Sequence, residues 1–282
     1  MEVVIASASE ACSIAAKIAE ASIISNIGMI QTKNPFETAI AYEMLGKRAV
    51  VVVDKVCRRD IERLIEKRLP VVVIVLSGNQ EVLKEDIPIL FNPCSFQEMI
   101  DDVIFSLILC EDPKVMLPSV INIDRLNIFE EVTVNENLSK IIPKFKLSQP
   151  QSDVQTAVEN FKKMIEKNKD LWQKKYGFVF YECCDANKII VATGIDSSIL
   201  KSEEKPDIGF VRLNLIKPDL LQKSFFIGKK VAVIEKSKIL YKEVRHLTSF
   251  CSLFIIESLS KKKLLEISDI LEKQEKEEIL KL

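Results

Sequence analysis

Two stretches of the chain are apolar at every position, Ala49–Val53 and Val71–Leu76. Strands of that kind sit inside parallel sheets with helices on both faces, whereas a half-exposed strand alternates. Strand and helix patterns take turns around them. Glu2–Ala6 reads as a short strand. Ser9 is a candidate N-cap for a helix over 10–21, with Ile14, Ala15 and Ile18 on one face. Ser22–Ile27 reads as a strand ended by Gly28. Asn34 and Pro35 open a helix that runs to Leu45, and Gly46 closes it where a left-handed residue is easily accommodated. Arg58–Arg68 is a charged amphipathic helix ended by Pro70, and the turn residues Ser77, Gly78 and Asn79 follow the second apolar strand. Ile87–Phe91 is a short strand. Ser95–Cys110 is a helix with Phe96, Met99, Ile100, Val103, Ile104 and Leu107 as its apolar positions, and Val115–Ile123 is a strand broken at Pro118. The pattern predicts an open α/β layer.

The rhythm then changes. Phe129–Pro150 carries Pro143 and Pro150 with mixed polarity and reads as an extended linker. Gln151–Lys174 predicts a long charged helix whose apolar stripe is Val154, Val158, Phe161, Ile165 and Trp172. A second α/β unit follows, with strands at Phe178–Tyr181, Lys188–Ala192, Ile208–Arg212, Val231–Ile234 and Leu253–Ile256, and a Lys/Glu-rich helix from Lys261 to the end. The expected organisation is a first domain over 1–127, a linker and long helix over 128–174, and a second domain over 175–282.

Composition narrows the functional classes. The 282 residues hold 40 basic and 41 acidic side chains, a formal charge of −1. Such a balance offers no electrostatic reason to expect nucleic acid or an anionic membrane as partner. The apolar runs are strand-sized, well short of the ~20 residues that span a bilayer, and the start, Met1 to Ala8, lacks a basic leader before its apolar run. A cytoplasmic protein is expected. The seven cysteines include the adjacent pair Cys183–Cys184 but no C-x-x-C spacing, so buried reduced thiols are expected rather than a zinc or iron–sulfur site in this chain. His246, the single histidine, reads as a packed or surface residue. Lys201–Lys205 and Lys261–Lys263 read as solvated faces.

Taken in order, the second half resembles a known family. A long helix ends in Lys175-Tyr176-Gly177. Tyr181-Glu182 leads to Asp185-Ala186 and then to Ile189-Ile190-Val191-Ala192-Thr193-Gly194. Gly209-Phe210-Val211-Arg212-Leu213 precedes Pro218, and Lys230-Val231-Ala232-Val233-Ile234-Glu235 follows. Upstream, Phe96-Gln97-Glu98 and the run from Asp112-Pro113-Lys114 through Leu117-Pro118 to Asp124 are similar to a segment that joins two domains in the same family. Weaker matches lie at Ser9-Glu10-Ala11 and Gly46-Lys47-Arg48. This series over Phe96–Glu235 resembles the α subunits of 2-oxoacid:ferredoxin oxidoreductases, and among them the pyruvate-type members (pyruvate synthase).

The resemblance implies two open α/β domains, a thiamine pyrimidine-binding-like domain followed by a transketolase C-terminal-like domain. It implies a complex of this chain with a β subunit that holds the thiamine pyrophosphate end and an iron–sulfur cluster, a γ subunit and a ferredoxin-like δ subunit. Pyruvate and coenzyme A would be the substrates. Thiamine diphosphate and the iron–sulfur clusters would be carried mainly by the partner chains, with none bound by this chain alone. The cofactor supplies the carbanion chemistry and the protein supplies orientation and electrostatics.

The chain departs from the family where that chemistry is done. Gly28-Met29 follows the second strand in place of a Tyr-Pro-x-Thr-Pro segment. Thr32 aligns with the glutamate that bonds the aminopyrimidine ring, and Ser77-Gly78-Asn79-Gln80 replaces an Asn-Arg pair. Thr cannot shuttle a proton. Glu37, one helical turn on, is the alternative acid, although a first-turn glutamate is also favoured simply by the helix dipole. No catalytic, cofactor-binding or metal-binding residue is therefore assigned in this chain. The expected function is an α-type subunit with a degenerate cofactor site. The competing expectations are a non-catalytic scaffold or assembly subunit, and an unrelated α/β binding protein.

Overall fold

The computed structural model describes residues 2–25, 32–76, 87–123, 128–167, 179–182, 186–194, 208–234, 239–248, 250–255, 261–273 and 279–281. The chain divides into two compact units, Met1–Tyr176 and Gly177–Leu282. The α/β class expected from the sequence is what the structure has.

In the first unit the elements are β1 (Glu2–Ala6), α1 (Ala8–Ile18), β2 (Ser22–Ser25), α2 (Pro35–Met44), β3 (Ala49–Val53), α3 (Arg58–Glu66), β4 (Val72–Val75), β5 (Leu90–Phe91), α4 (Phe96–Cys110), β6 (Ser119–Asn122), β7 (Glu130–Val134) and α5 (Val154–Lys167). Strands β2, β3, β4, β6 and β5 lie side by side in that order, each parallel to its neighbour. Every residue of β3 and β4 is buried, as an all-apolar strand between two helical layers must be. Helix α1 packs on α4, and an Arg63–Glu37 ion pair joins α3 to α2. The connections β2-α2-β3-α3-β4 and β5-α4-β6 run across the sheet in opposite directions, and right-handed crossovers would put α2 and α3 on the face opposite α4.

Helix α1 begins earlier than Ser9. Its N-cap is Ser7, which forms a capping box with Glu10, so the Ser-x-x-Glu pattern starting at Ser7 governs. A second difference is larger. Helix α4 is buried on nearly all sides, not on one stripe. Part of its cover is β7, which lies in the stretch expected to be linker. β7 pairs antiparallel with β1 and packs on α4. Glu130 accepts the Phe96 N–H at 2.7 Å, and Gln97 Oε1 accepts the Thr133 N–H at 2.7 Å. A carboxylate at a helix start satisfies an orphan donor and opposes the positive end of the dipole. The linker pattern was misleading because β7 has only Val132 fully buried, so it lacks a strong apolar signal.

The rest of the connector is held at the amino-terminal ends of the strands. Arg48, one residue ahead of β3, is buried. It pairs with Glu111 after α4 (Nε to Oε1 2.5 Å, Nη2 to Oε2 2.8 Å) and donates to the carbonyls of Ala19 and Pro143. Arg68, ahead of β4, donates to the carbonyls of Met116, Ser152 and Val115 at 2.9, 2.5 and 2.6 Å. From there α5 packs on α4 through Phe161 and its neighbours. The described part of α5 ends at Lys167, and the expected continuation through Trp172 lies outside the described residues.

In the second unit β8 (Val179–Glu182), β9 (Lys188–Thr193), β10 (Ile208–Leu213), β11 (Leu215–Lys217), α6 (Lys223–Phe226), β12 (Lys230–Ile234), α7 (Ile239–Arg245), β13 (Phe250–Ile255), α8 (Lys261–Lys273) and β14 (Ile279–Lys281) follow one another. The sheet order is β14-β13-β12-β9-β10-β8, parallel except for the antiparallel edge β8. Ile190, Ala192, Phe210, Ala232 and Ile234 pack with Ile267 and Leu271 of α8. Ile189, Val191, Val211, Val231 and Val233 pack with Leu240 and Val244 of α7. This period-two split feeds both helical layers. The described part of the terminal helix ends at Lys273, and the chain does not stay helical to its end, because β14 adds to the edge of the sheet. Lys230 Nζ donates to the carbonyls of Leu271 and Glu272 at 2.9 and 3.0 Å, closing the negative end of α8.

Replacing Arg48 with Ala leaves Glu111 buried without its cation. The expected loss is about 3–5 kcal/mol of stability, read from denaturant midpoints. The double change Arg48→Met with Glu111→Leu is expected to recover a large part of it.

Candidate functional site

In open α/β sheets, ligands bind outside the carboxyl ends of the strands. In the first unit that rim is tied by short polar contacts. Ser25 Oγ at the end of β2 donates to the Val52 carbonyl at 2.8 Å. Asn122 at the end of β6 donates from Nδ2 to Asn92 Oδ1 at 3.4 Å, while its Oδ1 is buried with no partner among the described residues. Gly28-Met29, Ser77-Gly78-Asn79-Gln80 and Asp124 belong to segments outside the described residues.

Thr32 is on this rim. Its N–H donates to the Ser25 carbonyl at 2.9 Å. Its hydroxyl accepts the Asn34 N–H at 3.3 Å and lies 3.2 Å from the Thr38 hydroxyl. Thr38 Oγ1 donates to the Asn34 carbonyl at 3.0 Å, so the proton between the two threonines comes from Thr32. Both capacities of Thr32 are thus engaged in ordering the start of α2. Glu37 points elsewhere. It is exposed and ion-paired to Arg63 of α3, which makes it a surface contact between two helices.

What the structure adds is a cleft of about 420 Å³ along β2, lined by Ser13, Lys17, Ile23, Thr32, Thr38 and Tyr42 among others. β2 is the last strand on its side of the sheet, with α1 and α2 as walls. The sequence held a trace of it: Ser13 and Lys17 are four apart on α1, Thr38 and Tyr42 four apart on α2, which places each pair on one helix face. By themselves these spacings single out no site.

A second polar cluster sits at the opposite end of the sheet. Glu43 of α2 is fully buried. Its Oε1 accepts the Ala49 N–H at 3.0 Å, and Oε2 has no partner among the described residues. Burial first, and the nearby Glu111 carboxylate second among the raising influences, push Glu43 up to about 8, against weaker lowering by the Ala49 hydrogen bond and Arg48. Glu111 is also raised, because burial outweighs its bonds to Arg48. Two buried carboxylates thus face one guanidinium, and Glu43 keeps its proton at neutral pH. This is a structural cluster, remote from the rim.

Elsewhere, Cys12, Cys94, Cys110 and Cys251 are buried and Cys57 is exposed, all free thiols, while Cys183 and Cys184 lie outside the described residues. Burial pushes the Cys12 thiol up to about 12. No group of three or more His, Cys, Asp or Glu among the described residues is placed to hold a metal. No helix among the described residues is long and apolar enough to cross a membrane. His246 is exposed in the turn after α7. In the second unit Gly194 takes a positive φ of 65° at the end of β9, and Thr193 Oγ1 bonds the Leu213 carbonyl of β10 at 2.7 Å. Lys201–Lys205 lies outside the described residues.

No protein-family model and no curated protein matches the chain. Among solved structures, the chain superposes on one described as 2-oxoglutarate:ferredoxin oxidoreductase from Magnetococcus marinus with 2-oxoglutarate, coenzyme A and succinyl-CoA bound. The TM-score is 0.62 and the identity 11%. The two chains share a fold. The match covers 95% of this chain and 65% of that one, so this chain spans just under two thirds of its neighbour's length.

The Glu43 cluster gives a pH test. A folded-state pKa raised from 4.5 to about 8 contributes stability that is fully present below pH 4.5 and is lost as pH rises through 8. Glu43→Gln keeps an uncharged acceptor for Ala49 and removes the titration. Its stability relative to the parent is expected to rise between pH 5 and pH 8 in urea melts. Parallel pH profiles for the two proteins would contradict the assignment.

Proposed function

We propose that the chain is an α-type subunit of a 2-oxoacid:ferredoxin oxidoreductase complex, with a degenerate cofactor position of its own. In this reading the described core of residues 1–127 is a shortened thiamine pyrimidine-binding-like domain, and 175–282 is a transketolase C-terminal-like domain. Thiamine diphosphate and the iron–sulfur clusters are carried by β-, γ- and δ-type companions. Pyruvate and coenzyme A are the substrates, in oxidative decarboxylation to acetyl-CoA or its reverse, in the cytoplasm. The fold shared over 95% of the chain supports the family reading. The ordered motifs over Phe96–Glu235 support its α-type and pyruvate-type form.

The observation that carries the degenerate site is the pair Thr32 and Glu37. Thr32 has its hydroxyl occupied within the start of α2, and Glu37 is engaged by Arg63. Neither can hand a proton to a pyrimidine ring. Val3, Ile5 and Phe129 are 63%, 71% and 71% exposed, an apolar surface of the sort that a companion chain covers. This chain's part would be to shape and close the cavity around a cofactor held by its partner, excluding water from it.

Reconstitution with the companion chains tests the reading. Ferredoxin reduction that depends on thiamine diphosphate, pyruvate and coenzyme A, and on this chain, is the expected result. Thr32→Ala should cost about 1 kcal/mol in stability through the lost hydrogen bonds to Asn34 and Thr38 and change turnover less than twofold. A loss of about 10²-fold or more would identify Thr32 as a participant in proton transfer and overturn the degenerate site. A complex that assembles but never turns over would instead establish the scaffold reading.

A further inference from the structure

Among the described residues, the edge of β2 leaves the backbone N–H and C=O of Ile23 without a partner. β2 pairs with β3 in register Ser22↔Ala49, and the Ser22 N–H donates to the Arg48 carbonyl at 3.0 Å. In a parallel ladder, alternate residues turn their N–H and C=O to opposite sides. Ser22 and Ile24 therefore face β3, and Ala21, Ile23 and Ser25 face outward. The two ends of this outward edge are closed. The Ala21 N–H donates to the Ala16 carbonyl at 2.9 Å, and the Ser25 carbonyl accepts the Thr32 N–H at 2.9 Å. Between them the N–H and C=O of Ile23 have no partner among the described residues, although Ile23 is half-buried at the floor of the cleft. A half-buried backbone pair left open is a template for an added strand.

The walls select what can be added. Lys17 is the one charged residue of the described lining, and it makes no ion pair among the described residues. Tyr42 lines the same cleft, and Lys47 holds its ammonium 5.8 Å from that ring. The Ser13 hydroxyl already donates to the Ser9 carbonyl at 2.9 Å, and Thr38 donates to Asn34, so both offer only acceptor capacity to a guest. The ammonium groups set the charge preference, toward carboxylates. The short free edge limits the guest to a few residues in extended form.

We propose that the open edge of β2 binds an extended acidic segment of a partner protein as an added strand. Ile23 supplies the backbone bonds, and Lys17 meets a carboxylate of the guest.

The test uses the full chain and a blocked hexapeptide of alternating valine and glutamate, with the valine–lysine counterpart as control. The acidic peptide is expected to slow amide exchange at Ile23 and to bind more tightly than the basic one, by about fivefold. Ile23→Pro removes the outward N–H, which an edge strand tolerates, and is expected to weaken binding by about fivefold with the melting temperature kept. Should that variant misfold, Lys17→Glu serves in its place and is expected to reverse the preference between the two peptides. Equal binding of both peptides, unchanged Ile23 exchange, or affinity indifferent to the folded variants would overturn the proposal. So would slowing of Ile23 exchange with rising protein concentration and no peptide, which would assign the edge to a second copy of the chain.

Discussion

One buried guanidinium organises the first unit. Arg48 stands where α1, β3, α4 and the connector converge, and it bonds a group from each of the other three: Ala19, Glu111 and Pro143. Connectors seldom run against a core, because their backbone carbonyls need partners that apolar side chains cannot give. A planar cation with several donors supplies them. Arg68 repeats the solution one strand along, on three carbonyls. Both arginines precede a strand, so both lie at the amino-terminal ends of the parallel sheet. At its carboxyl ends, among the described residues, neighbouring segments are tied by single side-chain contacts such as Ser25 to Val52 and Asn122 to Asn92.

This division explains what was legible in the sequence. The all-apolar strands β3 and β4 have interiors that no other structure could bury as well, so Ala49–Val53 was found as it stands and the second strand to within a residue of either end. Gly46, with φ of 74°, was legible because the backbone there disfavours any side chain. The strands β9, β10 and β12 were legible for a similar reason, since their mostly apolar runs feed two helical layers from opposite faces of each strand. Elements that depend on partners far along the chain were not. β7 is a strand because β1 and the start of α4 complete it, and its own residues are mostly polar or half-exposed. β14 is three residues long and exists as an addition to β13. A window of local sequence holds no record of such pairings.

The polar residues show the same limit more sharply. Arg48 could be seen only as part of a Gly-Lys-Arg match. Its real role requires Glu111 and Pro143, 63 and 95 residues away. Nothing in the sequence singles out Glu43, yet its burial raises the carboxyl to about 8, so that it keeps its proton at neutral pH beside Arg48 and Glu111. The cleft along β2 rests on two helix faces brought to one strand edge. Each face is ordinary by itself, and the hydroxyl and amine groups acquire a common purpose only through the register of β2 on β3.

Position 32 then bears on function in a way that stability does not dictate. A carboxylate near the start of α2 would be welcomed by the helix dipole, and Glu37 in the first turn already occupies such ground without strain. Folding therefore gives no reason to exclude an acid at Thr32. What the threonine adds is closure: its N–H takes the last carbonyl of β2, and its hydroxyl bridges Asn34 and Thr38. The side chain turns inward, toward the chain's own backbone, at the point where an acid–base residue would have to turn outward. In the proposed reading such a rim covers chemistry held by another chain, and the flank of β2 is a polar surface that the described residues leave open to further contacts.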